Sequence, residues 1–367
     1  MGKELNILLL NSAQGKYPRG CDPWVRATEA ALKELAGQPE ARLVSSTGLA
    51  SWELSAYLGG ALGMNILLIV PGAETGTAGR ELERLLEGFK LERGRTRLAF
   101  TGPGPPRELM ARRDRLAFEM ADIICPVSLR PGGKLEKLLE EFVPAKKIVE
   151  KFRTAWSAKR FNPGYSVSGK ELDPRTSDLG LKWLFHWTRS NPGRWPDEPP
   201  WRFYHDLLAS PSAYVRDARA TLKRMVLEGR LSGTIWRMPS GEKAVSFSAA
   251  PPSEMLSLMR WRKRYAHYSF EPYGLAVAKS ALESLGARPV TYYPTGCPPK
   301  GDIDRLFFQS AGRQGDWRVE REWRLRGDLE LKGLDLREVA LIVPDPLEKE
   351  HFAAALNADY RKFNLFK

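Results

Sequence analysis

The feature that most constrains this chain is a series of short, continuously apolar runs in its first half, at residues 5–10, 42–45, 65–70, 98–101 and 122–127. Runs without polar alternation suit strands covered on both faces, which is the condition of a parallel sheet. Between them lie stretches with helical spacing, at 22–36, 51–62, 79–89 and 106–120. The first of these carries Asp22 as N-cap and Pro23 at the first helical position. Strand and helix in alternation predict a Rossmann-like parallel sheet with helices on both faces, joined by right-handed crossovers. Ligands of such sheets bind at the carboxyl ends of the strands. The residues predicted there are Ser12, Thr47, Gly48, Arg130, Gly132 and Gly133, small or cationic groups suited to a phosphate beside helix N-termini. A Gly-rich loop at a strand end is equally a plain structural turn, so only the convergence of these loops points to a nucleotide.

At 367 residues the chain is long enough for two domains. Its 43% hydrophobic and 28% charged residues describe a globular protein throughout. No apolar run approaches a membrane span and no signal peptide is visible, so a cytoplasmic protein is expected. Three cysteines, none in a CxxC pattern, suit a reducing compartment and give no support to a metal site. A net charge of +13 favours a polyanionic partner. The run Arg260, Trp261, Arg262, Lys263 and Arg264 interleaves an indole with four cations. Stacking on the ring with phosphate contacts around it is the pattern of a single-strand-binding edge.

Residues 130–140 carry Pro-Gly-Gly before a Glu-rich helix, after a strand ending Ile-Ile-Cys-Pro-Val. With the Asn11-Ser12 loop and the Thr47-Gly48 segment, this resembles the nucleotide-binding superfamily of the Lonely-Guy phosphoribohydrolases and the DNA-processing-A proteins. The resemblance covers about residues 1–150 and implies nucleotide or nucleic-acid binding. Leu135 and Glu136 stand where the enzymatic members have Gly-Thr, and Glu140 is one place out of register, so nucleotide or nucleic-acid binding is a better carry-over than phosphoribohydrolase activity.

Residues 157–178, with Asn162-Pro163-Gly164 and Asp173-Pro174, read as a linker between a domain at 1–156 and another at 179–367. The second half reads as α+β. Strands are predicted at 182–188, 244–248, 264–271, 273–277, 288–293, 318–325 and 339–343, with helices at 212–228 (capped by Ser212, stopped by Gly229) and 279–285. Side chains alternate along a strand, so Glu320 and Glu322 are predicted on one face and Trp323 on the other. Paired carboxylates of this kind are either a solvated edge or a reaction centre.

Phe-His-Trp-Thr at 185–188, Val-Ser-Phe-Ser at 245–248, Tyr273-Gly274 and Glu-Arg-Glu-Trp-Arg at 320–324 follow in the order of the ADP-ribosyltransferase fold. As a set they look like an uncharacterised bacterial family found near phage-defence genes, over about residues 180–345. The resemblance implies transfer from NAD. It places Glu322 at a ribose hydroxyl, Glu320 at the acceptor, His186 and Thr188 near the other ribose or the pyrophosphate edge, Ser246 or Ser248 as a brace for the glutamate, and Tyr273 against nicotinamide. The acceptor is then a nucleic acid or a protein side chain. The alternative is a nucleic-acid or nucleotide-binding protein of DNA modification or defence, which keeps the fold without the transfer or alters a modified base without NAD.

Overall fold

The computed structural model describes residues 4–74, 76, 78–157, 179–235, 238, 240–263, 265–297, 300–301, 303–312, 316–344, 352 and 361–364. Arg264 and residues 158–178 of the expected linker lie outside these. The chain groups into two units, Met1–Asn162 with Pro192–Val215, and Pro163–Asn191 with Arg216–Lys367.

In the first unit β1 (Leu5–Asn11), β2 (Ala41–Ser46), β3 (Asn65–Val70), β4 (Thr96–Phe100), β5 (Ile123–Ser128) and β6 (Lys147–Ile148) form one six-stranded sheet, all parallel, in the order β4-β3-β2-β1-β5-β6. The Rossmann-like expectation is met by this sheet. Its helices are α1 (Pro23–Leu35), α2 (Ala50–Ala61), α3 (Ala78–Phe89), α4 (Pro106–Met120) and α5 (Lys134–Phe142). Along β1, Ile7 and Leu9 enter a core with α1, α2 and α3, while Leu8 and Leu10 enter another with α4 and α5. Burial of both alternating sets explains the unbroken apolar run; each fully buried Leu or Ile contributes roughly 1.5–3 kcal/mol. Asp22 does precede α1, but its carboxylate accepts from the amide of Arg19 at 2.9 Å and caps no helical N–H.

A sixth helix, α6 (Pro200–Ala209), was not anticipated. It buries Phe203, Tyr204 and Leu207 in the core shared by α1 and α2, so residues 192–215, which the 179–367 expectation put in the second domain, pack with the first unit. Tyr214 is buried in the same core, and the helix predicted from Ser212 starts only at α7 (Ala218–Glu228). Its cap is Asp217, which accepts from Ala220 N at 2.7 Å; Gly229, at φ 63°, closes it as expected.

The second unit is built on β7 (Trp183–Trp187), β9 (Ala244–Ser248), β12 (Gly274–Ala278), β13 (Arg288–Pro289), β16 (Glu322–Arg326), β18 (Val339–Val343) and β19 (Arg361–Asn364), in the order β13-β16-β9-β7-β12-β18-β19. All neighbours are antiparallel except β18 and β19. Smaller pairs are β8 (Arg230–Leu231) with β17 (Leu329–Glu330), β10 (Trp261–Arg262) with β11 (His267–Tyr268), and β14 (Thr291–Tyr293) with β15 (Phe308–Ser310). The short helices α8 (Pro252–Met255) and α9 (Lys279–Ser284) complete it. One sheet face carries Leu184, Val245, Phe247, Leu275 and Leu325; the other carries Phe185, Trp187, Ala276 and Ile342.

Three sequence expectations are corrected here. The strand predicted at 264–271 is reduced to the two-residue β11. The one predicted at 288–293 breaks at Val290, whose amide donates to Glu322 O at 2.8 Å, and its halves join different sheets. The one predicted at 318–325 begins only at Glu322: Trp317–Glu320 is a single 3-10 turn, and Arg321 takes a left-handed φ of 44°.

Candidate active site

Glu322 opens β16, and the strand's alternation puts Arg324 on its own face. Arg324 is 2% exposed, and its guanidinium spans both carboxylate oxygens, Nε to Oε1 at 2.8 Å and Nη2 to Oε2 at 3.0 Å. The remaining guanidinium donors go to Leu306 O at 2.6 Å, Phe308 O at 3.4 Å and Gln309 Oε1 at 2.8 Å. A buried arginine so satisfied is rigid, because any rotation would leave a donor unpaired in low dielectric. On β9, facing Arg324 across the ladder, Ser246 donates its hydroxyl to Glu322 Oε1 at 2.8 Å. The carboxylate therefore meets three donors and keeps a side chain 14% exposed.

Glu320 sits in quite different surroundings. Its carbonyl accepts from Ser248 Oγ at 2.5 Å, and the left-handed residue after it separates it from the strand. The Glu320 carboxyl has no hydrogen-bond donor among the described residues. Burial, and next the charge of Glu322, push it up to about 7, against the pull of Arg262 and Arg324. Tyr292, on β14, brings its hydroxyl to 3.3 Å from the Glu322 amide, which donates to it. Burial is the largest cause that takes this phenol up to about 12. Two carboxyl groups are thus near each other, one ion-paired and the other able to take or give a proton near neutral pH. The same-face geometry predicted from a strand does not produce this; the 3-10 turn and Arg321 do.

His186 belongs to the same hydrogen-bond chain, from the other side. β7 and β9 pair at one position, Phe185 with Ser248, and beyond it the His186 ring stands in for a ladder bond, Nδ1 lying 2.9 Å from Ser246 O. The ring packs edge-on against Phe247 at 5.9 Å. Burial lowers its proton affinity, so it is neutral at physiological pH. His186 holds Ser246, and Ser246 holds Glu322. Thr188 and Tyr273 lie apart from this chain. Thr188 Oγ1 donates to Tyr273 O at 3.0 Å, and Tyr273 is 3% exposed within the core of Leu184 and Phe247. Ser248 is occupied by Glu320 O and by Met255 Sδ at 3.4 Å.

The basic run of 260–263 approaches the carboxylates. Arg262, on β10, donates to Ser269 Oγ at 2.6 Å and lies 5.9 Å from the centroid of Trp317, the first residue of the turn that carries Glu320. Trp261 packs edge-on against Tyr268 at 5.3 Å, and Arg260 and Lys263 are exposed. Arg324, Tyr292 and Gln309 were not singled out in the sequence. Arg324 had a signal, its i+2 spacing from Glu322; the other two are brought in by β14 and β15, which no local pattern connects to β16.

In the first unit the predicted nucleotide residues surround the switch point between β1 and β5, where strand order reverses. Ser12 Oγ accepts from Arg130 N at 2.9 Å, and Arg130 lies 5.6 Å from the Trp156 ring. Thr47 O accepts from the buried Arg113 at 3.5 Å. Gly48, at φ 90°, donates its amide to Glu53 Oε1 at 2.9 Å, and Gly132, at φ 66°, donates to Glu136 Oε2 at 2.6 Å. Gly133 is the N-cap of α5, where an added Cβ would lie 2.7 Å from Arg130 O. Of the three glycine amides predicted to meet phosphate, those of Gly48 and Gly132 are thus closed by the protein's own carboxylates and that of Gly133 by Arg130 O at 2.9 Å. Among the described residues three polar atoms of this unit are buried without a partner, Trp52 Nε1, Asn11 Oδ1 and Ser128 Oγ, the last two on residues paired across β1 and β5. The Asn11 amide orientation is fixed: Thr28 gives its own proton to Trp24 O at 2.6 Å, so it accepts from Asn11 Nδ2 at 3.1 Å.

A cleft of about 400 Å³ lies beside these loops, lined by Lys16, Gly48, Ser51, Glu53, Arg194 and Tyr204. Glu53 Oε2 accepts from the Tyr204 hydroxyl at 2.9 Å. Among the described residues no cluster of His, Cys, Asp and Glu could hold a metal, and no helix is long and apolar enough to cross a membrane. In comparisons with protein families, with curated proteins and with solved structures, nothing matches this chain.

Proposed function

We propose that the second unit is a ribosyl-transfer centre of ADP-ribosyltransferase type, in a cytoplasmic protein, with NAD as donor and a macromolecular acceptor. The observation that carries this is the Ser246–Glu322 hydrogen bond beside a second carboxyl, Glu320, poised near neutral pH. Cleavage of a nicotinamide–ribose bond leaves the electron pair on the pyridine nitrogen and positive charge on the ribose carbon. Glu322 faces that charge, and because Ser246 and Arg324 fix its orientation it needs no reorganisation as the charge develops. An acceptor nitrogen or oxygen forms the new bond to the ribose carbon and passes its proton to ionised Glu320. His186 serves as a positioning residue through Ser246 O. Tyr273 does not fit the stacking role that the resemblance gives it, being buried; Tyr292 is the aromatic ring beside the carboxylates. The first unit carries nucleotide recognition in this reading, at the unpartnered Asn11 and Ser128 atoms and the adjoining cleft.

Both oxygens of Glu322 are engaged by Arg324, which favours a second reading: a nucleic-acid-binding protein in which the pair is a structural lock. Nicotinamide release, followed by mass spectrometry in the native chain and in Glu322→Gln, separates the two. Transfer predicts release that falls by about 100-fold or more in the variant, the scale of losing one preorganised charge-stabilising group. NAD left intact by the folded native protein, in every acceptor mixture, rules the transferase out.

A further inference from the structure

Resting on that transfer reading, we infer that the acceptor is single-stranded nucleic acid, received on the β10–β11 hairpin and delivered to Glu320. Arg262 is anchored to Ser269 and set against Trp317, so the hairpin packs on the turn that ends in Glu320. Arg260 and Lys263 flank β10, both exposed and neither ion-paired with a described residue, with the half-buried Trp261 between them. Cations two or three residues apart with an indole ring between them, and a second indole, Trp317, against Arg262, match a phosphate backbone with unpaired bases. Duplex DNA hides its base faces, and a folded protein acceptor offers no repeating anion to these cations. A base nitrogen reaching Glu320 then forms the bond to the ribose carbon and gives that carboxylate its proton.

The test uses the full chain and a fluorescein-labelled 20-nucleotide mixed-sequence DNA, as single strand and as duplex, followed by anisotropy. Arg260→Glu with Lys263→Glu is expected to weaken single-strand binding at least about tenfold, and Trp317→Ala about five- to tenfold. A control reversal at Arg107 and Lys137, exposed cations of the first unit, carries the same change in net charge and is expected to move binding less than twofold. NAD is then added and the oligonucleotide is weighed. Mass gain of one ADP-ribose on the single strand, and not on the duplex, establishes the acceptor. Nicotinamide release without single-strand binding, or equal loss in the control reversal, overturns the acceptor inference and leaves the transferase standing. Hairpin-localised binding with no nicotinamide release overturns the transferase, and with it the acceptor role.

Discussion

In the first unit, two glycine amides at the strand ends are closed by one nearby carboxylate each, Gly48 by Glu53 and Gly132 by Glu136, five and four residues on. In the second, closure runs across strands: Glu322 is held by Arg324, two residues on, and by Ser246 on β9, and Arg324 in turn by the carbonyls of Leu306 and Phe308 and the side chain of Gln309. Local closure at a surface is replaceable by water if it is lost. Closure inside a core is not, because the partner left behind is a charge without solvent. The second unit therefore has a rigid polar centre and, beside it, a carboxyl that holds its proton unusually tightly.

The strongest challenge to this contrast is Arg324→Ala, which leaves Glu322 unpaired and three acceptors empty. A loss of about 3–5 kcal/mol is expected in the second unit, against about 1 kcal/mol or less in the first for Glu136→Ala, which removes the acceptor of Gly132 N. Hydrogen exchange resolved by peptide reads each unit separately, and equal effects would remove the distinction.

Two glycines sharpen it at the level of packing. A Cβ on Gly274 would meet the backbone oxygen of His186 at 2.6 Å, so Gly274→Ala has to part β12 from β7, at a cost of about 2 kcal/mol. On Gly59, within α2, it would meet Leu43 Cδ2 at 2.5 Å, a side-chain end that can turn. The better helix propensity of alanine, about 1 kcal/mol, offsets that strain, and Gly59→Ala is expected near neutral in chemical denaturation.

Arg321 tests whether the acid pair depends on its left-handed joint. Arg321→Gly should preserve the pH profile of transfer, while Arg321→Val should lower stability by about 1–2 kcal/mol and shift that profile.

A last expected effect concerns pH. The folded chain holds the Glu320 proton up to about 7, whereas an ordinary glutamate releases it near 4.5. Between those values the native state binds more protons than the unfolded one, so this group's contribution to stability falls as pH rises through the window and is level outside it. Glu320→Gln should therefore leave Tm at pH 4.5 nearly unchanged and raise it at pH 8. No gain at pH 8 would show that Glu320 is solvated.

Much of the first unit was legible in the sequence because, apart from β1 with β5, its strands pair with neighbours one crossover away. The apolar runs and the Pro-Gly-Gly turn before α5 each report on their own surroundings, as does Gly229 at the end of α7 in the second unit. Helix α6 escaped because its Phe203, Tyr204 and Leu207 look like any short aromatic stretch until α1 and α2 are there to receive them. The two glutamates were visible as a pair, but a period of two was the wrong reason for it. Arg321 breaks the strand between them, and only an observed backbone angle can show that.

By itself the sequence determined the parallel sheet, the residues at its carboxyl ends, the strands β7, β9, β12 and β18, and the basic run near Trp261. Periodicity and turn chemistry act over a few residues and are written in the order of the chain. Tertiary structure alone decided that Ser246 braces Glu322 and that burial holds a proton on Glu320, that His186 reaches Ser246 through a carbonyl, and that Tyr273 is core. Each of those depends on which distant strand lies alongside, and so on desolvation and donor count, quantities that no stretch of sequence carries within itself.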